Sequence, residues 1–292
     1  MRRVLILGGT AEARALAAEL SGGLSSGLAG ELSGRGVHVV SSLAGRVSNP
    51  RLPVGEVREG GFGGPDGLAA WLAAERIDAL VDATHPFAAR MTASAAEASA
   101  RTGVPLLVLR RPGWREGPGD TWQRVPSLHA AAARLSETAT QLSEAAARLS
   151  EAAARLSDDP AGAFLPEAAA PPGGGPLRVF LTTGRRSLPV FTGLAGMWLL
   201  ARSVDPPEPP VPDHVHVLLD RGPYTVDGER ALIREHRLDV LVTKDSGGPM
   251  TTAKLVAARE LGLPVIMVDR PPLPPGVRLV ETATEAAAWA QG

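Results

Sequence analysis

Three short stretches in the first half of the chain place chemistry-bearing residues directly after apolar runs. Gly8-Gly9-Thr10-Ala11-Glu12-Ala13-Arg14 follows Val4-Leu5-Ile6-Leu7. Small residues let the backbone turn tightly and approach a phosphate, and a helix opening there offers free N–H groups and the positive end of its dipole. The third glycine of G-x-G-x-x-G is missing, so the turn reads either as a nucleotide loop or as a plain strand-to-helix connection. Ser41-Ser42-Leu43-Ala44-Gly45-Arg46 ends the second apolar run. A fold that selects NAD usually places Asp or Glu there for the ribose hydroxyls. Serines and an arginine suit a 2′-phosphate instead, unless Arg46 is only a loop charge. Asp82-Ala83-Thr84-His85-Pro86-Phe87-Ala88 ends a further parallel strand. His85 is there either to donate a proton or hydrogen-bond a ligand, or to serve the loop's own structure.

The second half carries three more such loops: Thr182-Thr183-Gly184-Arg185-Arg186-Ser187, Asp220-Arg221-Gly222-Pro223-Tyr224, and Thr243-Lys244-Asp245-Ser246-Gly247-Gly248-Pro249 running on to Lys254. They share small residues and cations, and their arginines could hold carboxylates. Ordinary capping and loop chemistry is the competing account. Of thirty Lys and Arg residues only Lys244 and Lys254 are lysine. A compact ammonium is not interchangeable with a guanidinium, so their proximity marks this loop. Cysteine is absent, which excludes disulfides, iron–sulfur clusters, thiolate zinc sites and cysteine nucleophiles. The six histidines show no metal-ligand spacing, so no metal is expected, and no G-x-S-x-G is present. A formal net charge of −1 offers nothing to neutralise a nucleic-acid backbone. No run approaches the ~20 apolar residues of a membrane span. The N-terminal run is too short for a signal peptide, and a cytoplasmic location is expected.

The elements that must position these loops alternate between short apolar runs and Ala-rich helical stretches, the pattern of parallel strands with crossover helices. Strands are predicted at Val4–Leu7, Val37–Ser41, Val54–Val57, Ala79–Asp82 and Leu106–Leu109. In the second half they fall at Val179–Thr182, Met197–Ala201, His214–Leu219, Val240–Thr243 and Val265–Val268. Helices fit Ala11–Leu20, Asp66–Glu75, Ala88–Arg101, Leu188–Leu194, Gly228–His236 and Thr251–Leu261. The halves echo each other: Gly103-Val104-Pro105-Leu106-Leu107-Val108-Leu109-Arg110-Arg111-Pro112 matches Gly262-Leu263-Pro264-Val265-Ile266-Met267-Val268-Asp269-Arg270-Pro271. Each is followed by a further short strand and helix, Trp122–Val125 then Ser127 onward and Val277–Val280 then Ala283 onward. At 292 residues two domains are expected: 1–157, a linker at 158–176, and 177–292. Ser21–Gly34 reads as a Gly/Ser-rich loop. Residues 135–157 repeat a heptad with Leu135, Leu142, Leu149 and Leu156 on one face, either a solvated helix or a self-association helix.

Taken in order, Leu-Gly-Gly-Thr-Ala-Glu-Ala-Arg, Asp-Ala-Thr-His-Pro-Phe-Ala, Leu-Thr-Thr-Gly-Arg-Arg, Arg-Gly-Pro-Tyr and Thr-Lys-Asp-Ser-Gly-Gly resemble the precorrin-6A reductase family of cobalamin biosynthesis. The resemblance spans nearly the whole chain, apart from the heptad segment and the Gly/Ser loop. It implies an α/β protein of two Rossmann-like domains, parallel sheets flanked by helices with a cleft between them. It further implies transfer of hydride from NADPH to a polyacidic tetrapyrrole, giving precorrin-6B; a sister group acts on the cobalt-containing ring. On that footing Gly8, Gly9, Thr10 and Glu12 shape the nucleotide loop, and Ser42 and Arg46 meet the 2′-phosphate. Thr84 and His85 lie near the nicotinamide. Arg185, Arg221, Lys244, Ser246 and Lys254 meet substrate carboxylates or cofactor phosphate, and Asp245 is also placed at the substrate. The proton donor is His85, Lys244 or bulk water. The protein would act as a monomer or homodimer. A nucleotide-sugar transferase of similar layout, indifferent to NADPH, is the rival reading. A hinged ligand-binding protein is another, against which the missing signal peptide speaks.

Overall fold

Val4-Leu5-Ile6-Leu7 is buried at every residue, as a strand with helices on both faces must be. The computed structural model describes residues 1–22, 36–45, 51–157 and 175–292, and for 152–157 only the helical backbone. Arg46, most of the Gly/Ser loop and most of the linker lie outside the described residues. The first elements are β1 (Arg2–Leu7), α1 (Ala11–Gly22), β2 (Val37–Leu43), β3 (Glu56–Glu59), α2 (Pro65–Ala74), β4 (Ala79–Asp82), α3 (Ala89–Thr102) and β5 (Leu106–Leu109). Then come β6 (Trp122–Val125), α4 (Leu128–Ser157), β7 (Leu177–Leu181), a 3-10 helix (Arg185–Val190), β8 (Met197–Ser203) and β9 (Val215–Leu219). The chain ends with α5 (Val226–Glu235), β10 (Val240–Lys244), α6 (Ala253–Glu260), β11 (Val265–Val268), β12 (Arg278–Val280) and α7 (Ala283–Gln291).

Among the described residues two six-stranded sheets result, ordered β12-β5-β4-β1-β2-β3 and β6-β11-β10-β7-β8-β9. Every pairing is parallel. In each sheet the strand order reverses beside the first strand, between β1 and β4 and between β7 and β10. That is the point where doubly wound sheets bind ligands at the carboxyl ends of their strands. The α/β class and the parallel sheets flanked by helices agree with the sequence reading. The contiguous split at 157/177 does not follow the sheets. One compact unit comprises Met1–Trp114, Ser246–Gly248 and Arg270–Gly292, the other Arg115–Asp245 and Pro249–Asp269. The sixth strand of each sheet is exchanged: β6 pairs with β11 and β12 with β5. Consecutive parallel strands of one sheet need a crossover of a dozen or more residues, usually a helix. No helix separates β5 from β6, or β11 from β12, and each connection delivers its strand to the other sheet, whereas β8 and β9, also joined without a helix, pair within one sheet.

In the first unit α1 buries Ala13, Leu16, Ala17 and Leu20, one helical face. They pack with Val4, Ile6, Val39 and Val81, and α7 adds Ala286, Ala287 and Ala290. Thr282 and Glu285 form a capping box that starts α7. The opposite sheet face gathers Leu5, Leu7, Val40 and Leu80 under Leu68 and Leu72 of α2 and Ala95 and Ala98 of α3.

Three local expectations change. The third strand sits at Glu56–Glu59 rather than Val54–Val57; as an edge strand it buries little, so hydrophobicity does not locate it. The helix expected at Leu188–Leu194 is a 3-10 helix at Arg185–Val190 with Pro189 inside it, and proline removes the N–H that an α-helix would need. The heptad belongs to α4, which packs against β6 and β11 of the second unit. Leu135 is buried, whereas Leu142 and Leu149 are exposed.

Candidate active site

In the first unit the turn after β1 is tied to the ends of its two neighbours. The Gly8 amide donates to the Ser42 carbonyl at 2.9 Å. Gly9 holds φ +109°, with nothing within 4 Å of where a Cβ would stand, so the turn needs glycine and its backbone stays approachable. The buried Thr10 hydroxyl donates to the Ala83 carbonyl at 2.7 Å and accepts from the Ala13 amide at 3.1 Å. One side chain therefore caps α1 and bridges the place where the strand order reverses. The first amides of α1 lack helical partners by geometry, and of these the Ala13 amide is taken by Thr10.

After β4, Asp82 Oδ1 accepts from the Thr84 amide at 3.0 Å and the Thr84 hydroxyl at 2.6 Å. Asp82 is 2 % exposed, and its Oδ2 has no partner among the described residues. His85 is exposed. The Phe87 amide donates to its Nδ1 at 3.2 Å, which places the proton of a neutral ring on Nε2. Arg110 Nη2 donates to the Pro86 carbonyl at 2.7 Å and pins this loop.

Glu12 takes part through a residue that sequence reasoning missed. Arg111 Nη1 donates to the Glu12 carboxylate at 2.6 Å, and its Nε donates to the Ser246 carbonyl at 2.7 Å. The segment Ser246–Gly248 thus joins the first unit. Trp114 Nε1 donates to the Gly248 carbonyl at 3.1 Å. Arg270 donates to the carbonyls of Arg111 at 2.7 Å and Pro112 at 3.0 Å. Arg111 and Arg270 occupy equivalent places in the repeated Gly-x-Pro segment, a signal the sequence did carry.

The second unit has a parallel arrangement at β7 and β10. Lys244 Nζ donates to the Thr183 carbonyl at 2.8 Å and the Ser187 hydroxyl at 2.7 Å. Burial, with some repulsion from Arg186, lowers its pKa to about 8. Arg185 donates to the Pro206 carbonyl at 3.2 Å and stands 3.9 Å from Asp205. Arg221 is exposed.

Two residues expected to touch substrate are placed elsewhere. Asp245 is 4 % exposed and accepts from Arg124 at 3.0 Å, while Arg124 also donates to Asp269 at 2.7 Å. It anchors β6. Lys254 is 4 % exposed on α6, beside an equally hidden pair in which Arg202 donates to Glu229 at 2.7 Å. Burial, then repulsion from Arg202, pushes the Lys254 pKa down to about 7, and Glu229 partly opposes this. The Arg202 guanidinium also lies 3.8 Å above the Tyr224 ring. Spacing in sequence could not show that Lys254 points into the α5–α6 layer.

Among the described residues no cluster of three or more His, Asp or Glu could hold a metal ion. No described helix is long and apolar enough to cross a membrane.

Comparison with known proteins bears on this arrangement. Residues 3–291 match the family model described as precorrin-6x reductase CbiJ/CobK. A precorrin-6A reductase of Rhodococcus erythropolis is 48% identical over 99% of this chain and 97% of its own. One from Mycobacterium tuberculosis is 44% identical over 100% and 98%. A cobalt-precorrin-6A reductase of Salmonella typhimurium is 28% identical over 99% and 94%. The solved structure titled CobK precorrin-6A reductase superposes with a TM-score of 0.74 at 37% identity, covering 99% of this chain and 96% of that one.

Proposed function

The chain belongs to the precorrin-6x reductase family and reduces precorrin-6A in cobalamin biosynthesis as an oxidoreductase acting on a CH–CH bond; we propose that NADPH is its hydride donor and that the first unit binds it. The observation that carries this reading is the Gly8–Thr10 turn, where the Thr10 hydroxyl spans the reversal of strand order. The residues fit a dinucleotide. Gly9 leaves open space for a phosphate, α1 presents its amino end, and Glu12 is occupied by Arg111, which removes a charge that would repel the pyrophosphate. Ser42, buried at the end of β2, stands where the adenosine ribose lies in such sheets. Arg46 belongs to the same strand end in sequence. When bound, the cofactor supplies the hydride.

The remaining proton is assigned to His85. Its Nδ1 accepts from the Phe87 amide, and the residue is exposed on the loop after β4, next to Thr84 in sequence. Lys244 instead spends protons on Thr183 and Ser187, which makes it a brace for the Gly184 turn. Arg185 and Arg221, at the carboxyl ends of β7 and β9, suit the acetate and propionate arms of the macrocycle. Lys254 and Asp245 drop out of substrate contact on burial.

Anaerobic oxidation of NADPH by the purified protein with precorrin-6A tests the reading. Turnover is expected with NADPH, at least ~10-fold more efficient than with NADH. Folded protein that oxidises neither would overturn the first-unit cofactor site, and equal efficiencies would overturn the choice of NADPH. In the same assay His85→Gln should lower kcat by ~100-fold with little change in KM. An unchanged kcat would assign the proton to solvent.

A further inference from the structure

Ser42 does not stand alone at the end of β2. In register across the ladder its partner on β3 is Arg58. Arg58 Nη1 donates to the Ser42 hydroxyl at 3.1 Å and to the Gly60 carbonyl at 2.8 Å, and Nη2 donates to the Gly61 carbonyl at 2.9 Å. The guanidinium lies 3.8 Å above the Phe62 ring, and Phe62 in turn meets Trp71 edge-on at 5.5 Å. Carbonyls on two sides and an aromatic face below fix the cation in place.

Its partners are all neutral. Among the described residues Arg58 pairs with no carboxylate. The nearest acids along its strand, Glu56 and Glu59, do not supply one. Glu56 binds His38 at 2.9 Å. Glu59 is exposed and, one residue on, points to the opposite face of the sheet. Partial burial lowers the pKa of Arg58, yet a guanidinium keeps its charge at any physiological pH. A half-buried cation that has no counter-charge among the described residues suits an external anion. Three of its five N–H donors are used in the bonds above, which leaves Nε–H and one Nη2–H.

We propose that Arg58, with Ser42, receives the 2′-phosphate of the dinucleotide and so sets the selectivity between the two nicotinamide cofactors. This rests on the reading of the first unit as the cofactor site and deepens it. The competing role is purely local: Arg58 would clamp the glycine-rich connection from β3 to α2 and touch no ligand.

The experiment is calorimetric titration of the full-length protein with 2′,5′-ADP and, separately, 5′-AMP, with thermal midpoints recorded alongside. Wild-type protein should bind 2′,5′-ADP at least ~10-fold more tightly than 5′-AMP. Arg58→Gln should weaken 2′,5′-ADP by ~10–100-fold, the value of one charged hydrogen-bonded contact, and leave 5′-AMP unchanged. Arg58→Lys, which keeps the charge and loses the fork, should fall between them and serves if the glutamine variant does not fold. Equal weakening of both nucleotides would reduce Arg58 to a loop clamp. Undiminished preference for 2′,5′-ADP in both variants would overturn the assignment while sparing the NADPH reading. A wild-type protein with no preference would sink the NADPH reading and the proposal with it.

Discussion

Gly247→Ala is expected to destabilise the protein by more than ~3 kcal/mol. Gly247 is buried at φ +65°, where an alanine alone costs ~1 kcal/mol. Steric collision costs more than that. A Cβ there would stand 2.1 Å from the Pro112 carbonyl oxygen and 2.4 Å from Arg270 Nη2. Arginine could swing aside; a carbonyl fixed by Arg270 Nη2 at 3.0 Å cannot without dragging the backbone. Gly9→Ala provides the control. It shares a positive φ but meets nothing within 4 Å, so only the conformational ~1 kcal/mol should appear. Urea unfolding of both variants separates strain from collision. Equal, small losses would mean that the Ser246–Gly248 segment is not seated on the Arg111–Pro112 backbone. A functional loss should accompany the large one, because the displaced Ser246 carbonyl is also the Arg111 acceptor that steadies Glu12 at the start of α1.

Glu229→Ala should cost about 3–5 kcal/mol, the usual penalty for stripping a buried charge of its partner. Glu229 is the carboxylate that faces both Arg202 and Lys254 inside the second unit. Its removal leaves the buried Arg202 guanidinium without a counter-charge beside Lys254. The same cluster gives the wild-type protein a pH signature. Lys254 titrates at about 7 in the fold and near 10.4 when unfolded. Between those values the unfolded chain binds the extra proton, so stability rises with pH, by at most ~1.4 kcal/mol per unit. From pH 7 to pH 9 Lys254 should contribute a rise of about 2 kcal/mol in the unfolding free energy, and Lys244, lowered to about 8, roughly 1 kcal/mol more. Lys254→Met should flatten that slope and leave Arg202 and Glu229 paired. A wild-type protein whose stability is level or falling across that interval would show Lys254 to be charged in the native state. A loss below ~1 kcal/mol in Glu229→Ala would show that Arg202 escapes to water.

Much of the architecture is legible in the chain. Uninterrupted apolar runs announce strands buried on both faces, and Gly8-Gly9-Thr10 and Thr84-His85 come to neighbouring strand ends as their positions after β1 and β4 require. What stays hidden depends on three-dimensional packing. Glu56-Val57-Arg58-Glu59 is too polar to stand out, and only the ladder brings Arg58 beside Ser42. Lys254 reads as a free cation because a sequence does not say which face of α6 is covered. Arg111 resembles any loop arginine until Glu12 and Ser246 arrive on either side of it. The exchange of β6 and β12 had no readable sign, because β8 and β9 are likewise consecutive strands without a helix between them and stay in one sheet. The repeat hid it, because both copies carry the same strand and helix and would fit either sheet.

That exchange governs when the molecule can mature. β12 and α7 complete the sheet that β1 begins. A nascent polypeptide that has not yet reached them therefore displays β5 with an unsatisfied edge and α1 without the helix that covers it. The second sheet, β6 to β11, is contiguous in sequence and is complete before β12 emerges, so the first unit is the last to finish. Completion of the first unit waits for β12 and α7 to emerge, and a protease that removes them strikes at that unit.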